Sequence, residues 1–94
     1  MTSTNFKVLI LPELLEDLPP ERESEIKRSV KDLEQPYPGR GRGDKKTIKG
    51  RSDVAYRLRV GNYRVFYRIE KSEKRVYVFD IQTAEGAHKK YGRL

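Results

Sequence analysis

Residues 54–69 decide the fold: they read VAYRLRVGNYRVFYRI, two strand-like runs on either side of Gly61-Asn62. In the first run, apolar side chains alternate with Arg57 and Arg59, and a period of two is that of a β-strand with one buried face. A two-residue connection that begins with glycine fits a type II′ hairpin turn. A polar turn then leads to a third strand-like run, RVYVFDI, at residues 75–81. The pattern predicts an antiparallel meander of three strands.

The N-terminal part predicts one strand and two helices. Residues 6–11 are a short, mostly apolar run closed by Pro12, as expected for a buried strand. A short helical turn with three leucines follows, and a second helix begins at Pro20 and ends at Pro36. The apolar side chains of this second helix form one stripe, which we expect to pack against the sheet. The predicted core contains Ile26, Val30, Leu33, Tyr56, Leu58 and Val60.

The remaining segments complete the predicted order. Residues 36–43 (PYPGRGRG) are rich in proline and glycine and predict a basic loop, which continues through Lys46 and Lys49 to the meander. Residues 84–91 could form a short terminal helix. We therefore expect an α+β fold with the order β-α-α-β-β-β, in which two N-terminal helices pack on an antiparallel sheet. We expect one domain over residues 1–94, because a chain of this length supports a single small core.

The charge of the chain is unevenly distributed. Its formal net charge is +7, but residues 1–39 carry five basic and eight acidic side chains, whereas residues 40–94 carry sixteen basic and six acidic ones. A solvated surface usually mixes its signs. The concentration of positive charge in residues 40–94 therefore favours a polyanionic partner. Nucleic acid is the leading candidate, and an acidic protein segment or anionic lipid is the alternative.

The composition also excludes several classes of protein. With no cysteine and one histidine, the chain has no disulfide, no thiolate site and too few imidazoles for a histidine-based metal site, so we expect no metal and no cofactor. No apolar run approaches the roughly 18 residues of a membrane-spanning helix. The first residues lack the order of a signal peptide, so we expect a cytoplasmic protein without a membrane partner.

Arg57 and Arg59 are the most informative candidates for a functional site. Alternate residues of a strand project from one face about 7 Å apart, close to the spacing of successive backbone phosphates. Arg64 and Arg68 on the paired strand can extend this surface. A guanidinium offers forked donors to phosphate oxygens and can stabilise charge that develops at phosphorus. The alternative is an ordinary solvated sheet face.

Further candidates surround this strand pair. Histidine ordinarily titrates near neutral pH, so His88 suits a general acid or base, although a surface role is the alternative. Tyr91 could stack on a base. Lys46 and Lys49 lie where contacts with phosphates are easy, but lysines in loops are often only hydrated.

Three tracts together point to a known superfamily: residues 48–50 (IKG), 56–67 (YRLRVGNYRVFY) and 76–81 (VYVFDI). The chain resembles the RelE/ParE toxins, RelE-like members in particular, over nearly its whole length. The resemblance implies a small α+β fold and neutralisation by a cognate antitoxin. It also implies a metal-independent endoribonuclease that cuts mRNA in the ribosomal A site, where a ribose 2′-hydroxyl attacks the adjacent phosphate.

The resemblance assigns roles to individual residues. Arg57 and Arg59 match two basic residues of the family's second strand, one thought to act as base and the other to stabilise the phosphate. Arg64 matches the family's transition-state arginine, and Lys49 matches a basic residue that contacts the nucleic-acid backbone.

The C-terminal tract departs from the family pattern, which has an arginine followed four residues later by a tyrosine. Ala84 stands at the arginine position and His88 at the tyrosine position. His88 could replace tyrosine in proton transfer, and Lys89 or Lys90 could supply the missing cation; a shifted alignment would use Tyr91.

Two alternatives to a RelE-like nuclease follow. The first is a ParE-like toxin that binds DNA gyrase, against which the basic face of Arg57, Arg59 and Arg64 argues. The second is a non-catalytic RNA-binding or regulatory module of the same fold, which Ala84 favours.

Overall fold

The computed structural model describes residues 5–49 and 54–92. The strands are β1 (Lys7–Ile10), β2 (Asp44–Lys49), β3 (Val54–Val60), β4 (Tyr63–Glu70) and β5 (Arg75–Thr83), and the helices are α1 (Glu13–Glu16), α2 (Pro20–Ser29) and α3 (Ala84–Tyr91). A 3₁₀ turn at Val30–Glu34 extends α2. The α+β class, the two N-terminal helices and the terminal helix are confirmed. Within the described ranges, no helix is long and apolar enough to cross a membrane.

The strands form one mixed sheet in the order β1-β5-β4-β3-β2. The pairings from β2 through β5 are antiparallel, as expected. β1 instead runs parallel to β5, which corrects the expectation of a purely antiparallel sheet. The helices and the meander lie between the two strands in sequence, and they supply the long crossover that a parallel pair requires.

The loop predicted before β3 contains a strand, β2, so the order is β-α-α-β-β-β-β-α. β2 pairs with β3 from Asp44 opposite Arg59 to Lys49 opposite Val54. Lys45 points into the protein and is only 7% exposed. Its ammonium group donates hydrogen bonds to the carbonyl oxygens of two loop residues, Gln35 and Arg40, each at 2.6 Å. A charged side chain therefore fills an inward position, which conceals the usual alternation of apolar residues.

The helical layer covers one face of the sheet and confirms the predicted core. Ile26, Leu33, Leu58 and Val60 are buried, and Val30 and Tyr56 are partly buried and pack against them. Tyr67 is also completely buried, and its hydroxyl donates a hydrogen bond to the carbonyl oxygen of Pro36 at 2.6 Å. This bond ties the end of the helical layer to the middle of the sheet. The other face of the sheet carries the arginines.

Candidate functional site

The β3–β4 hairpin places three arginines on the face opposite the core. Arg59 lies directly across from Arg64, and Arg57 lies across from Phe66. Since directly opposite residues of an antiparallel pair share a face, the three guanidinium groups form one basic patch. This is the arrangement that the alternation in the sequence predicts.

The patch forms one wall of an open pocket of about 250 Å³, which α3 completes. The pocket is lined by Asp44, Arg57, Arg59, Arg64, Ala84, His88 and Gly92. The structure thus brings together the four side chains that the sequence offers as candidate catalytic groups. Ala84 also lies at the pocket, so the position where the family pattern expects an arginine faces the site without a cation.

Arg64 is held by the hairpin turn itself. Its Nη1 donates hydrogen bonds to the carbonyl oxygens of Gly61 at 3.0 Å and Tyr63 at 2.9 Å. Gly61 has a φ of 56°, a conformation that favours glycine and fits the expected two-residue turn. Burial lowers the pKa of Arg64, and the positive charges of Arg57 and Arg59 lower it further, while Asp44 opposes them. The site is therefore a concentrated region of positive charge.

Arg57 has an unused hydrogen-bond donor. Its Nε is buried and has no hydrogen-bond partner among the described residues. Across residues 5–49 and 54–92, no carboxylate forms an ion pair with Arg57, Arg59 or Arg64. A buried donor without a partner costs about 1–3 kcal/mol, so the placement of Arg57 Nε is unfavourable for folding. The guanidinium groups of this cluster suit an anionic ligand, because hydrogen bonds between oppositely charged groups are strong.

The N-terminus of α3 is fixed to the hairpin. The backbone N–H of Ala84 donates to the carbonyl oxygen of Asn62 at 2.7 Å. Thr83 caps the helix, and its hydroxyl oxygen accepts a hydrogen bond from the backbone N–H of Gly86 at 3.0 Å. One turn later, His88 projects to the pocket and is exposed to solvent. Its imidazole is therefore accessible to a ligand in the pocket.

Lys90 and Tyr91 lie away from the pocket, in contact with Asp80 of β5. Lys90 Nζ donates a hydrogen bond to Asp80 Oδ2 at 2.8 Å, and the Tyr91 hydroxyl donates to the same oxygen. The Tyr91 ring packs on the buried ring of Phe66, with centroids 4.5 Å apart. In this arrangement both side chains anchor α3 rather than extend the basic patch.

The other predicted nucleic-acid contacts are more dispersed. Lys46 is exposed on β2 directly opposite Arg57, so it extends the patch. Arg68 lies further along β4, with its guanidinium 5.2 Å from the centroid of the Phe79 ring. Lys89 forms an exposed ion pair with Glu85 at 3.4 Å. The side chain of Lys49 lies outside the described part of the chain.

Sequence reasoning missed two acidic residues. Asp44 lines the pocket because β2 places it opposite Arg59. The sequence did not predict this position, because the charged residues of β2 do not show the alternation typical of a strand. Asp80 is only 7% exposed, and its carboxylate accepts hydrogen bonds from residues of both β5 and α3. A polar residue inside an apolar strand run was the available signal, and its partners become visible only in three dimensions.

Comparison with known proteins now identifies the family. A family model described as the ParE toxin of the parDE type II toxin-antitoxin system matches residues 14–87. A Methanocaldococcus jannaschii protein that carries the name toxin RelE1 is 36% identical over 76 residues, which cover 80% of this chain and 82% of that protein. The chain belongs to the RelE/ParE superfamily. It is a toxin of the type II toxin-antitoxin class.

Solved structures show that the toxin has the same fold as other superfamily members. The archaeal RelE–RelB complex from Pyrococcus horikoshii OT3 matches with a TM-score of 0.66 at 24% identity, over 84% of this chain and 94% of the other. The toxin-antitoxin complex RelBE2 from Mycobacterium tuberculosis matches with a TM-score of 0.70 at 21% identity, over 84% and 98%. A ParE family model and RelE structures both match this chain, so a RelE-like and a ParE-like function must be separated at the site.

Proposed function

We propose that this toxin is a ribosome-dependent mRNA endonuclease. The observation that carries the proposal is the pocket in which Arg57, Arg59 and Arg64 stand beside His88, without an ion-pairing carboxylate among the described residues. Three clustered cations suit a phosphodiester, and an imidazole is the side chain best able to exchange protons near neutral pH.

In the proposed reaction, the ribose 2′-oxygen attacks the adjacent phosphorus. The new bond from O2′ to phosphorus forms as the bond from phosphorus to O5′ breaks, which leaves a 2′,3′-cyclic phosphate and a 5′-hydroxyl. Arg57 and Arg59 hold the phosphate, and Arg64 stabilises the charge that accumulates on its oxygens. Because a guanidinium barely deprotonates, we assign proton transfer to His88, which protonates the leaving 5′-oxygen while the 2′-proton passes to water.

The partners in this proposal are the ribosome, its mRNA and a cognate antitoxin. RelB antitoxins accompany the structural relatives from P. horikoshii and M. tuberculosis. We propose that a flexible antitoxin folds on this toxin, as a helix across an apolar surface or as a strand added at a sheet edge. Co-expression of the neighbouring gene should then abolish growth arrest by the toxin.

The test uses ribosomes programmed with a defined mRNA, with primer extension to map cleavage. Cleavage of the ribonucleotide message and resistance of a message with a 2′-O-methyl group at the cut site would support attack by the 2′-hydroxyl. Arg28→Ala is the matched control, since Arg28 is exposed on α2 in the helical layer. Absence of cleavage by the folded wild-type toxin, or equal cleavage of both messages, would contradict the proposal.

A non-catalytic RNA-binding module is the second candidate, and Ala84 favours it. This residue lines the pocket where the family pattern has an arginine, so one cation is missing from the site. Such a module would bind RNA through Arg57, Arg59 and Arg64 and leave it intact. A ParE-like toxin would instead inhibit DNA gyrase and leave ribosome-bound mRNA uncut, so a supercoiling assay run in parallel separates the three functions.

A further inference from the structure

Asp80 lies beneath α3 and accepts four hydrogen bonds. Its Oδ1 accepts from the backbone N–H of Ile81 at 2.9 Å and from Gln82 Nε2 at 3.0 Å, so β5 itself fixes the orientation of the carboxylate. Its Oδ2 accepts from Lys90 and Tyr91, the last two residues of α3. One carboxylate thus joins the strand to the C-terminal turn of the helix.

The C-terminal turn of the helix depends on this attachment, because the hydrogen bond from Ala84 to Asn62 holds only the other end. α3 has eight residues, contains Gly86 and buries Ala87 completely, whereas isolated helices of this length are unstable in water. Tyr91 adds the contact of its ring with Phe66. The hydrogen bonds to Asp80 and the contact of Tyr91 with Phe66 therefore dock the C-terminal turn of the helix on the sheet.

The helical period connects this anchor to the pocket. Ala87 and Tyr91 are four residues apart and share the face that packs on the sheet, while Ala84 and His88 share the face that lines the pocket. When the face with Ala87 and Tyr91 packs on the sheet, the face with Ala84 and His88 is turned toward the arginines of the pocket. The rotation and position of α3 therefore set where the imidazole stands.

We infer that Asp80 is a positioning residue that fixes His88 in the arginine pocket by docking the C-terminal turn of α3. The inference rests on the proposed function only for its effect on cleavage; the placement of His88 can be measured without it. Loss of the anchor should free His88 while Arg57, Arg59 and Arg64, held by the hairpin, stay in place. The proton-transfer step should then slow without a loss of RNA binding.

The first test is by NMR on the full chain. In the wild type, titration with inorganic phosphate should shift the His88 imidazole resonances, because phosphate enters the pocket. In Asp80→Asn that shift should shrink, and amide exchange over residues 84–91 should accelerate at least about tenfold, while β3 and β4 stay protected. Glu85→Gln is the control, because Glu85 is exposed on the same helix and pairs with Lys89.

The second test is a double-mutant comparison of cleavage. Asp80→Asn should lower kcat by about 10- to 100-fold and leave KM unchanged, since small misplacements of a reacting group have effects of this size. Combined with His88→Ala, it should add no further loss, because both changes remove the same function. A separate structural role would instead make the two losses multiply, which would overturn the inference.

The two proposals fail in different ways. If the wild-type toxin does not cleave mRNA, the NMR test still decides whether Asp80 places His88. If Asp80→Asn does not fold, Tyr91→Phe and Lys90→Met each remove one donor to Asp80, and Tyr91→Phe keeps the ring on Phe66. Unchanged His88 shifts and unchanged exchange in a folded anchor variant would overturn the inference.

Discussion

Arg59 and Arg64 stand directly opposite each other across the β3–β4 hairpin, and both face the same pocket. Like charges placed opposite each other on adjacent strands are destabilising. Burial is the main cause of the lowered pKa of Arg64, and the positive charges of Arg57 and Arg59 lower this pKa further. The hairpin therefore holds positive charge closer together than folding alone would favour, and a bound phosphate would offset that repulsion.

Arg64→Ala should reduce cleavage more than His88→Ala. Arg64 is fixed by two bonds to its own turn, and removal of one fixed group that stabilises the transition state typically lowers kcat by about 10²–10³-fold. Water can partly replace a single acid, so we expect about 10²-fold for His88→Ala, the lower end of the usual range. The measurement is the rate on programmed ribosomes, with circular dichroism to verify the fold. Equal rates for the wild type and Arg64→Ala would remove Arg64 from the site.

Lys45→Met and Lys46→Met should separate stability from RNA binding. Lys45 is buried and donates to two carbonyl oxygens, so its removal should lower the free energy of unfolding by about 1–3 kcal/mol. Lys46 is exposed beside Arg57, so its removal should change that free energy by less than about 0.5 kcal/mol but weaken RNA binding. Urea denaturation and the salt dependence of binding measure the two effects. Equal destabilisation by both changes would contradict the assignment of opposite faces.

Asp44→Asn should tighten RNA binding several-fold at low salt. Asp44 is the acidic side chain among the pocket-lining residues, and its charge opposes the positive potential of the arginines. The gain should shrink as salt rises, because the Debye length falls to about 8 Å at physiological ionic strength. Fluorescence anisotropy with a short RNA measures the affinity. Asp17→Asn is the control, since Asp17 follows α1 in the helical layer; weaker binding by Asp44→Asn would contradict the prediction.

Asp80 should contribute to stability at neutral pH and lose that contribution in acid. Burial, the largest single influence, raises the pKa of Asp80, but hydrogen bonds from Lys90, Tyr91 and Gln82 outweigh it and lower the pKa below its ordinary value. The contribution is therefore complete above the unfolded pKa of about 3.9 and is lost as the pH falls through the lower folded value. Urea denaturation between pH 2 and pH 7 should show a flatter acid limb for Asp80→Asn. An unchanged acid limb would contradict this assignment.

Local patterns in the sequence determined the centre of the fold and the outline of the site. Period-two alternation separates the core face of β3 from Arg57 and Arg59, and Gly61-Asn62 fixes the turn that sets β4 in register. Both features act over a few residues, so they can be read without the rest of the chain. The α+β class follows from the order of these elements.

Only the tertiary structure decided the rest. β2 was hidden because Lys45 is buried through hydrogen bonds to two carbonyl oxygens of the preceding loop, and the parallel pairing of β1 depends on a long crossover to β5. The packing of α3 on the sheet decides which of its side chains reach the pocket. It places His88 at the pocket, and it places Lys90 and Tyr91 in contact with Asp80. These outcomes depend on how separate elements pack against one another, and the period of a single strand or helix carries no information about that packing.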